Sequence, residues 1–207
     1  MSGQTTVSNQ SLISRDHIIS LSTGGICIAL AYVLSLIKAY QMPQGGSVTP
    51  ASMLPIILFA LCFGFKKGIV VAFLFSLLQL INGYFFMPVQ VLMDYILAYS
   101  CLGLAGFFSP ANRMKEKSVG LLNRMAQVSF LRMCMGTVVA ISGRLLFSVL
   151  SGVIFFAEYA PEGQNPWVYS LIYNGSYLLP ELVITVVLLT LIVGILGMNK
   201  KKKASEA

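Results

Sequence analysis

Charged residues are scarce in this sequence. Asp, Glu, Lys and Arg make up 10% of its 207 residues, whereas hydrophobic residues make up 57%. A soluble globular domain has about 25% charged residues. The composition therefore excludes a soluble domain and indicates an integral membrane protein, whose length fits one compact bundle.

Histidine and closely spaced cysteines, both common metal ligands, are also lacking. The single histidine, His17, lies in the polar N-terminal stretch, which argues against a histidine-ligated metal site and an intramembrane Ser-His protease. The cysteines have no CxxC spacing and lie in apolar segments, so we expect free buried thiols. They are Cys27, Cys62, Cys101 and Cys134. We expect no metal, no resident cofactor and no enzymatic activity.

Signals for cleavage, repetition and nucleotide binding are missing too. The N-terminal stretch has no basic n-region and no small-x-small cleavage site follows the first apolar segment, so that segment is read as a retained helix. No inverted repeat of the kind found in many secondary transporters is visible. The absence of GxxxxGK[ST] means that uphill transport by this chain would need a partner or an ion gradient.

Six apolar segments are present instead, each a candidate transmembrane helix. They are residues 18–37, 51–65, 68–82, 88–108, 128–156 and 167–197. The predicted fold is an all-α integral membrane bundle of six transmembrane helices. Residues 18–197 form the membrane domain, 1–17 a polar cytoplasmic tail, and 198–207 a basic cytoplasmic tail.

Basic residues fall on alternate connections between these segments. The positive-inside rule therefore predicts a multi-pass protein of the cell membrane with both termini in the cytoplasm. The formal charge of +7 is read as anchorage to anionic lipid, with no nucleic-acid partner. The three remaining connections hold only Lys38 and are predicted to lie outside. The basic residues in question are Arg15, Lys66, Lys67, Arg113, Lys115, Lys117, Arg124 and Lys200–Lys203.

Asp94 is the main candidate for ligand contact, because a carboxylate within an apolar helix is costly and faces a cavity or a partner. Gln90 lies one turn earlier on the same face, and Tyr95 adjoins. Two interpretations are open: contact with a ligand, or an ion pair with Arg132 or Arg144.

Two further polar stripes lie near the predicted outer face. The residues of the first stripe recur every four positions, and those of the second follow helical spacing. The first stripe is also typical of packing between helices through small residues. The second is also typical of an aromatic belt at the membrane interface. The first contains Ser148, Gly152 and Phe156, and the second Ser170, Asn174, Tyr177 and Glu181, flanked by Tyr169 and Tyr173. Trp167 is assigned to the belt, and Glu181 is expected to pair with Arg144 or to contact the ligand. Glu158 and Glu162 are expected to be solvated or part of a lid.

Carboxylate, amide and aromatic groups together suit a flat, cationic or aminopyrimidine-like ring. On the first helix, Gly25 and Ala29 form a small-xxx-small pair, which is typical either of packing inside the bundle or of docking to a partner.

Three segments carry a resemblance to a known family: MPQGGSVT, PVQVLMDYILAYSCLGLAGFF and SGVIFFAEYAPEGQNPWVYSLIYNGSYLLPE. Over about residues 20–195 the chain resembles the thiamine-specific substrate-binding subunit (S component) of energy-coupling factor (ECF) transporters, the ThiT family. The resemblance implies a six-helix bundle with a thiamine site near the outer face. It also implies ATP-driven uptake with a scaffold membrane subunit and two ATP-binding-cassette ATPases, so that ATP is used by the partners.

By position, the family's ligand-binding residues correspond to a set distributed over three helices and one outer turn. They are Tyr84, Asp94, Tyr95, Gly152, Phe156, Tyr169 and Asn174, and the scaffold-docking pair corresponds to Gly25 and Ala29. Ser148 stands where the family commonly has histidine, and Met87 replaces the histidine of HPVQ. The family's acid can be Glu and its stacking aromatic Trp.

Loss of an imidazole whose hydrogen bond is not replaced weakens binding by about 1–3 kcal/mol, or roughly ten- to hundredfold. A thiamine precursor or analogue (a pyrimidine or thiazole moiety) therefore stays open as the ligand. A solitary proton-coupled carrier, with Asp94 or Glu181 titrating, is the alternative mechanism.

Overall fold

The protein is built almost entirely of helices in the computed structural model, which describes residues 3–113 and 121–205, with side chains over 15–111 and 121–195. A two-stranded antiparallel hairpin, β1 (Tyr40–Gln41) and β2 (Ser47–Val48), follows the first helix. Short 3₁₀ turns lie at Pro110–Arg113 and Ala157–Tyr159. The helices are α1 Gly3–Leu36, α2 Leu54–Phe63, α3 Phe65–Gln79, α4 Pro88–Phe108, α5 Leu121–Met125, α6 Phe130–Phe155 and α7 Pro166–Ser205.

Within the described residues, four helical stretches are long and apolar enough to cross a membrane: Arg15–Leu36 of α1, all of α4 and α6, and Pro166–Ile195 of α7. The prediction of a helical membrane protein is confirmed at this level. Each of the six predicted segments coincides with a helix, but α2 and α3 are shorter than a full span. The hairpin is an element that the all-α prediction did not include.

The centre of the bundle is α2. Nine of its ten residues are buried, and its side chains pack against α1, α3 and α4. A helix enclosed in this way need not match the bilayer thickness, because its ends are covered by protein and not by lipid. This burial explains why α2 is wholly apolar, with no hydrophilic face.

The break between α2 and α3 is shorter than predicted. The sequence suggested a turn over residues 64–68, but the chain is non-helical only at Gly64, whose φ is +89°. A positive φ is readily adopted by glycine, and one such residue redirects the chain. Lys66 and Lys67 consequently lie in the first turn of α3 and not in a loop.

Two glycines of α4 allow it to touch the backbone of α3. A Cβ atom on Gly103 would lie 2.6 Å from the Ile69 backbone, and one on Gly106 would lie 2.5 Å from the Phe65 backbone. Small residues permit this close approach between membrane helices. The contact fixes the C-terminal half of α4, from which its N-terminal half extends towards the hairpin.

Most of α4 departs from regular α-helical geometry. Residues Leu92–Leu97 form a π-helical stretch, in which the Ala98 N–H donates to the Met93 carbonyl oxygen, and Cys101–Phe108 continues as 3₁₀-helix. A π-helical turn changes the face on which the following side chains lie, and such turns are frequent at functional sites. Asp94 and Tyr95 both lie in this stretch.

Charged residues join the helices at the bundle end opposite the hairpin. Asp16 of α1 pairs with Lys67 at 2.6 Å and with Arg124 of α5, and the Arg124 guanidinium lies over the Phe63 ring at 4.6 Å. Arg124 was predicted in the connection between the fourth and fifth segments; it lies in α5 and is 4% exposed because these partners enclose it. The predicted tail 1–17 is helical from Gly3, and the side chains of Lys115, Lys117 and Lys200–Lys203 lie outside the described residues.

Candidate ligand-binding site

A cavity opens between α4, α6, α7 and the hairpin loop. It contains about 660 Å³ of space not filled by protein atoms, including its open mouth. Its lining residues are Gln44–Ser47, Gln90, Asp94, Tyr95, Tyr99, Arg144, Ser148, Gly152, Phe156, Tyr169, Ser170, Tyr173, Asn174 and Tyr177.

Asp94 is held in this cavity by two hydrogen bonds to one of its oxygens. Gln90 Nε2 donates to Asp94 Oδ2 at 2.7 Å, and Ser151 Oγ donates to the same atom at 2.8 Å. Asp94 lines the cavity and forms no ion pair with Arg132 or Arg144 within the described part of the chain. The expected placement of Gln90 on the same face as Asp94 is confirmed, whereas the ion-pair alternative is wrong.

Aromatic rings gather around Phe156, at the end of α6. Its ring centroid lies 6.3 Å from that of Tyr84, 5.7 Å from Phe86 and 6.1 Å from Tyr159. Phe156 is 7% exposed and lines the cavity. Tyr84 does not line the cavity and stands at its rim, packed against Gly45. Of these four rings, that of Phe156 belongs to a residue that lines the cavity. It completes an aromatic wall suited to a flat ligand, to which Tyr95, Tyr99, Tyr169, Tyr173 and Tyr177 also contribute.

Gly152 brings α6 and α7 into close contact. A Cβ atom at this position would lie 2.1 Å from Ser170 Oγ, and that hydroxyl donates to the Val149 carbonyl oxygen at 2.9 Å. Both interpretations of this glycine therefore have a basis, because it packs two helices together and also lines the cavity.

The polar atoms of Asn174 are already engaged within the protein. Its Nδ2 donates to the Ser148 carbonyl oxygen at 3.2 Å and to the Ser170 carbonyl oxygen at 3.0 Å, while Oδ1 accepts from Tyr177 Oη at 2.6 Å. Asn174 therefore links α6 to α7 by hydrogen bonds, and its amide group lines the cavity with its hydrogen-bonding capacity used within the protein.

Arg144 supplies a cation to the same cavity. Its Nη2 donates to Tyr99 Oη at 2.8 Å, Nη1 lies 2.9 Å from Met53 Sδ, and the guanidinium lies over the Tyr99 ring at 4.0 Å. Asp94 and Arg144 thus give the lining one charge of each sign. Glu181, for which pairing with Arg144 was one alternative, forms no ion pair with it within the described residues and accepts from the Thr49 N–H.

The hairpin loop covers one side of the cavity. The Gln44 N–H donates to Tyr173 Oη at 2.9 Å, and Gly46 lies so close to Tyr177 that a Cβ atom there would be 2.5 Å from its ring. Sequence reasoning placed this loop at the same mouth but assigned none of its residues to the site. The two adjacent glycines, Gly45 and Gly46, were the available signal.

The structure brings most of the predicted site residues together. Lining the cavity are Asp94, Tyr95, Ser148, Gly152, Phe156, Tyr169 and Asn174, with Tyr84 at the rim. Sequence reasoning did not assign Tyr99 or the loop residues to the site, and it considered Arg144 only as an ion-pair partner. Glu158 and Glu162 are exposed, as is Trp167.

The small-residue pair on α1 lies on the protein surface. Gly25 and Ala29 are exposed, and nothing comes within 4 Å of a Cβ atom built on Gly25. The bundle-facing glycine is instead Gly24, which packs on Val71 and Phe59. The alternative of packing inside the bundle is therefore wrong for Gly25. No group of three potential metal ligands (His, Cys, Asp or Glu) occurs among the described residues.

The family model described as thiamine transporter protein matches residues 21–201. The thiamine transporter ThiT of Bacillus subtilis (strain 168) is 35% identical over 173 residues, covering 81% of this chain and 86% of the relative. ThiT of Lacticaseibacillus paracasei (strain ATCC 334) is 31% identical over 153 residues, covering 70% of each.

A solved structure of ThiT from Listeria monocytogenes shares the fold, with a TM-score of 0.72 at 24% identity. The similarity covers 86% of this chain and 95% of that one. The matched family is one of transport proteins and not of enzymes, as the sequence predicted. With a family model spanning most of its length, this chain belongs to the thiamine transporter family.

Proposed function

We propose that this protein is the substrate-binding subunit of an ECF-type importer that captures thiamine from outside the cell. The observation that carries the proposal is Asp94. It is a carboxylate within an apolar helix, fixed by Gln90 and Ser151, and it lines a cavity with an aromatic wall. Family membership makes thiamine the first ligand to test.

The chemistry of this cavity matches the two rings of thiamine. The carboxylate of Asp94 accepts hydrogen bonds from an aminopyrimidine edge and balances the positive charge of the thiazolium ring. Phe156 and Tyr169 offer ring faces for stacking. Arg144 keeps its positive charge while it donates to Tyr99 and lies against Met53, so Asp94 is the group of the lining that attracts a cation.

The proposed orientation puts the cavity at the outer face, with all six predicted segments crossing the membrane and both termini in the cytoplasm. Support comes from the charge distribution. The cluster of Lys67 and Arg124 lies at the end opposite the hairpin, and the positive-inside rule assigns such an end to the cytoplasm.

Energy for uptake is proposed to come from partner subunits, a membrane scaffold and two ATPases of the ATP-binding-cassette type. The chain has no nucleotide loop of its own. The exposed Gly25 and Ala29 on α1 provide a flat surface on which another membrane helix fits closely. We assign this surface to the scaffold subunit.

A precursor or analogue of thiamine is the second candidate ligand. The observation that favours it is Ser148, whose buried hydroxyl lines the cavity where the resemblance leads one to expect a histidine. Where a hydrogen bond from that histidine is not replaced, the half of thiamine that it would contact contributes less to binding, which favours a ligand without that half.

The proposed function is tested by uptake of labelled thiamine into proteoliposomes that contain this chain with or without the energising subunits. We expect uptake that requires those subunits and internal ATP, and that persists when an ionophore abolishes the proton gradient. Uptake by this chain alone that ends with the proton gradient would contradict the proposal and establish the solitary carrier.

A further inference from the structure

Glu181 is almost completely buried, and it has no part in the proposed ligand contacts. It is 1% exposed and lies one residue after Pro180 within α7. It lines a second cavity, which shares Tyr99 and Arg144 with the cavity that contains Asp94. An acid buried so fully inside a membrane protein carries a large desolvation cost, so it requires partners.

The partners of Glu181 belong to the base of the hairpin. Its Oε1 accepts from the Thr49 N–H at 2.6 Å and also from Thr49 Oγ1. Thr49 Oγ1 is in turn 2.7 Å from Ser52 Oγ. Oε2 has no hydrogen-bond partner within the described residues. One carboxylate oxygen therefore holds the residue that directly follows β2.

The backbone beside this contact is strained. Ala51 has φ of +63°, and it is the one non-glycine residue with a positive φ in the described chain. Its N–H donates to the Thr49 carbonyl oxygen at 2.7 Å, and its own carbonyl accepts from the Leu54 N–H at 3.0 Å. Such a conformation is unfavourable for a residue with a Cβ atom and persists where surrounding contacts enforce it.

The loop that begins from this base covers the ligand cavity. Gln44–Ser47 line it, and the loop touches α7 through Tyr173 and Tyr177. The tight turn at Ala51 and the Glu181–Thr49 contact fix the segment that connects β2 to α2, and with it the base of the hairpin. A hairpin of two-residue strands has few hydrogen bonds of its own and is marginally stable without such support.

We propose that Glu181 is a positioning residue that fixes the base of the hairpin, so that the loop stays closed over the bound ligand and slows its release. The role in release rests on the proposed function, because it presumes a ligand in the cavity. The role in fixing the hairpin does not.

Hydrogen exchange of the ligand-free protein in detergent tests directly whether Glu181 fixes the hairpin. In Glu181→Leu we expect at least about tenfold faster exchange of the hairpin amides at Ala39, Met42 and Thr49, since the removed hydrogen bonds are charge-assisted. Exchange within α4 and α6 should be unchanged. Glu181→Gln, which keeps the Oε1 acceptor, should restore most of the protection.

Thr185→Val is the matched control. Thr185 lies one turn beyond Glu181 on α7 and is fully buried, and its Oγ1 has no partner among the described residues. Removing this polar group therefore leaves the hairpin contact intact, and hairpin exchange should match that of the wild type. A Thr185→Val variant that loosens the hairpin as much as Glu181→Leu does would overturn the proposal.

Thr49→Val separates the hairpin contact from an effect on Arg144, whose charge interacts with that of Glu181. This variant keeps the Glu181 charge and removes one donor. We expect faster hairpin exchange in Thr49→Val alone and no further increase when it is added to Glu181→Leu. Additive effects would show that Glu181 acts elsewhere.

The role of Glu181 in retaining the ligand is tested by the rate at which labelled thiamine is released after mixing with excess unlabelled ligand. We expect release about tenfold faster in Glu181→Leu, with association changed far less. Unchanged release despite a loosened hairpin would overturn the role in retention. A wild-type protein that binds no thiamine refutes the proposed function, whereas the exchange experiment still decides whether Glu181 fixes the hairpin.

Discussion

At the scale of single residues, the ligand site depends on Asp94. Replacing it with Asn keeps the size and the bond to Gln90 but removes the charge and half of the accepting capacity. Hydrogen bonds to charged groups contribute about 1.5–3 kcal/mol, so we expect thiamine to bind roughly ten- to hundredfold more weakly. The measurement is equilibrium binding to purified protein.

Glu158→Gln is the control for that experiment, since it removes a negative charge from the same end of the protein at an exposed position. It should bind thiamine as the wild type does. Equal affinity of Asp94→Asn and wild type would remove Asp94 from the site.

Gly152 permits a second prediction at the residue scale. Gly152→Ala places a methyl group 2.1 Å from Ser170 Oγ in the present geometry, and overpacking of this kind costs about 1–3 kcal/mol. We expect a lower unfolding temperature in detergent. Adding Ser170→Ala should recover part of the loss, since it removes the clashing atom.

The control for this glycine is Gly194→Ala, at a position of α7 where a Cβ atom meets nothing within 4 Å. It should leave the unfolding temperature unchanged or raise it, because alanine is the better helix former. A Gly152→Ala variant as stable as Gly194→Ala would mean that the two helices separate without cost.

At the scale of elements, the hairpin and the π-helical stretch of α4 complete the site. Gly46→Ala should push the loop off Tyr177, since its Cβ atom would lie 2.5 Å from that ring. We expect faster release of thiamine, measured by stopped-flow mixing, while the unfolding temperature changes little. Release as slow as in Gly194→Ala would show that the loop does not retain the ligand.

The helices could be predicted from sequence because a membrane requires long apolar segments, and α4, α6 and α7 are such segments. Asp94 stood out for the same reason, as a charge within one of them. The hairpin was missed because two-residue strands leave almost no periodic pattern. The role of Thr49 as the partner of Glu181 was missed because the two are 132 positions apart, and no local signal joins them.

At the scale of the whole molecule, the prediction concerns the surface on which the partner subunit docks. Ala29→Trp puts a bulky ring on the exposed small-residue surface of α1, so it should abolish ATP-dependent uptake while thiamine binding to the isolated chain is unchanged. Leu30→Trp is the matched control, being the same replacement at the next residue, also exposed but on another face. Uptake that survives Ala29→Trp would exclude this surface as the docking site.

The central claim is that the isolated chain binds thiamine in the cavity of Asp94 and Phe156. Its most direct test is calorimetric titration of ligand-free protein with thiamine, and separately with its pyrimidine and thiazole halves. We predict nanomolar binding with one thiamine per chain and far weaker binding of either half. Tight binding of one half with weak binding of thiamine would contradict the claim and assign the protein to a precursor.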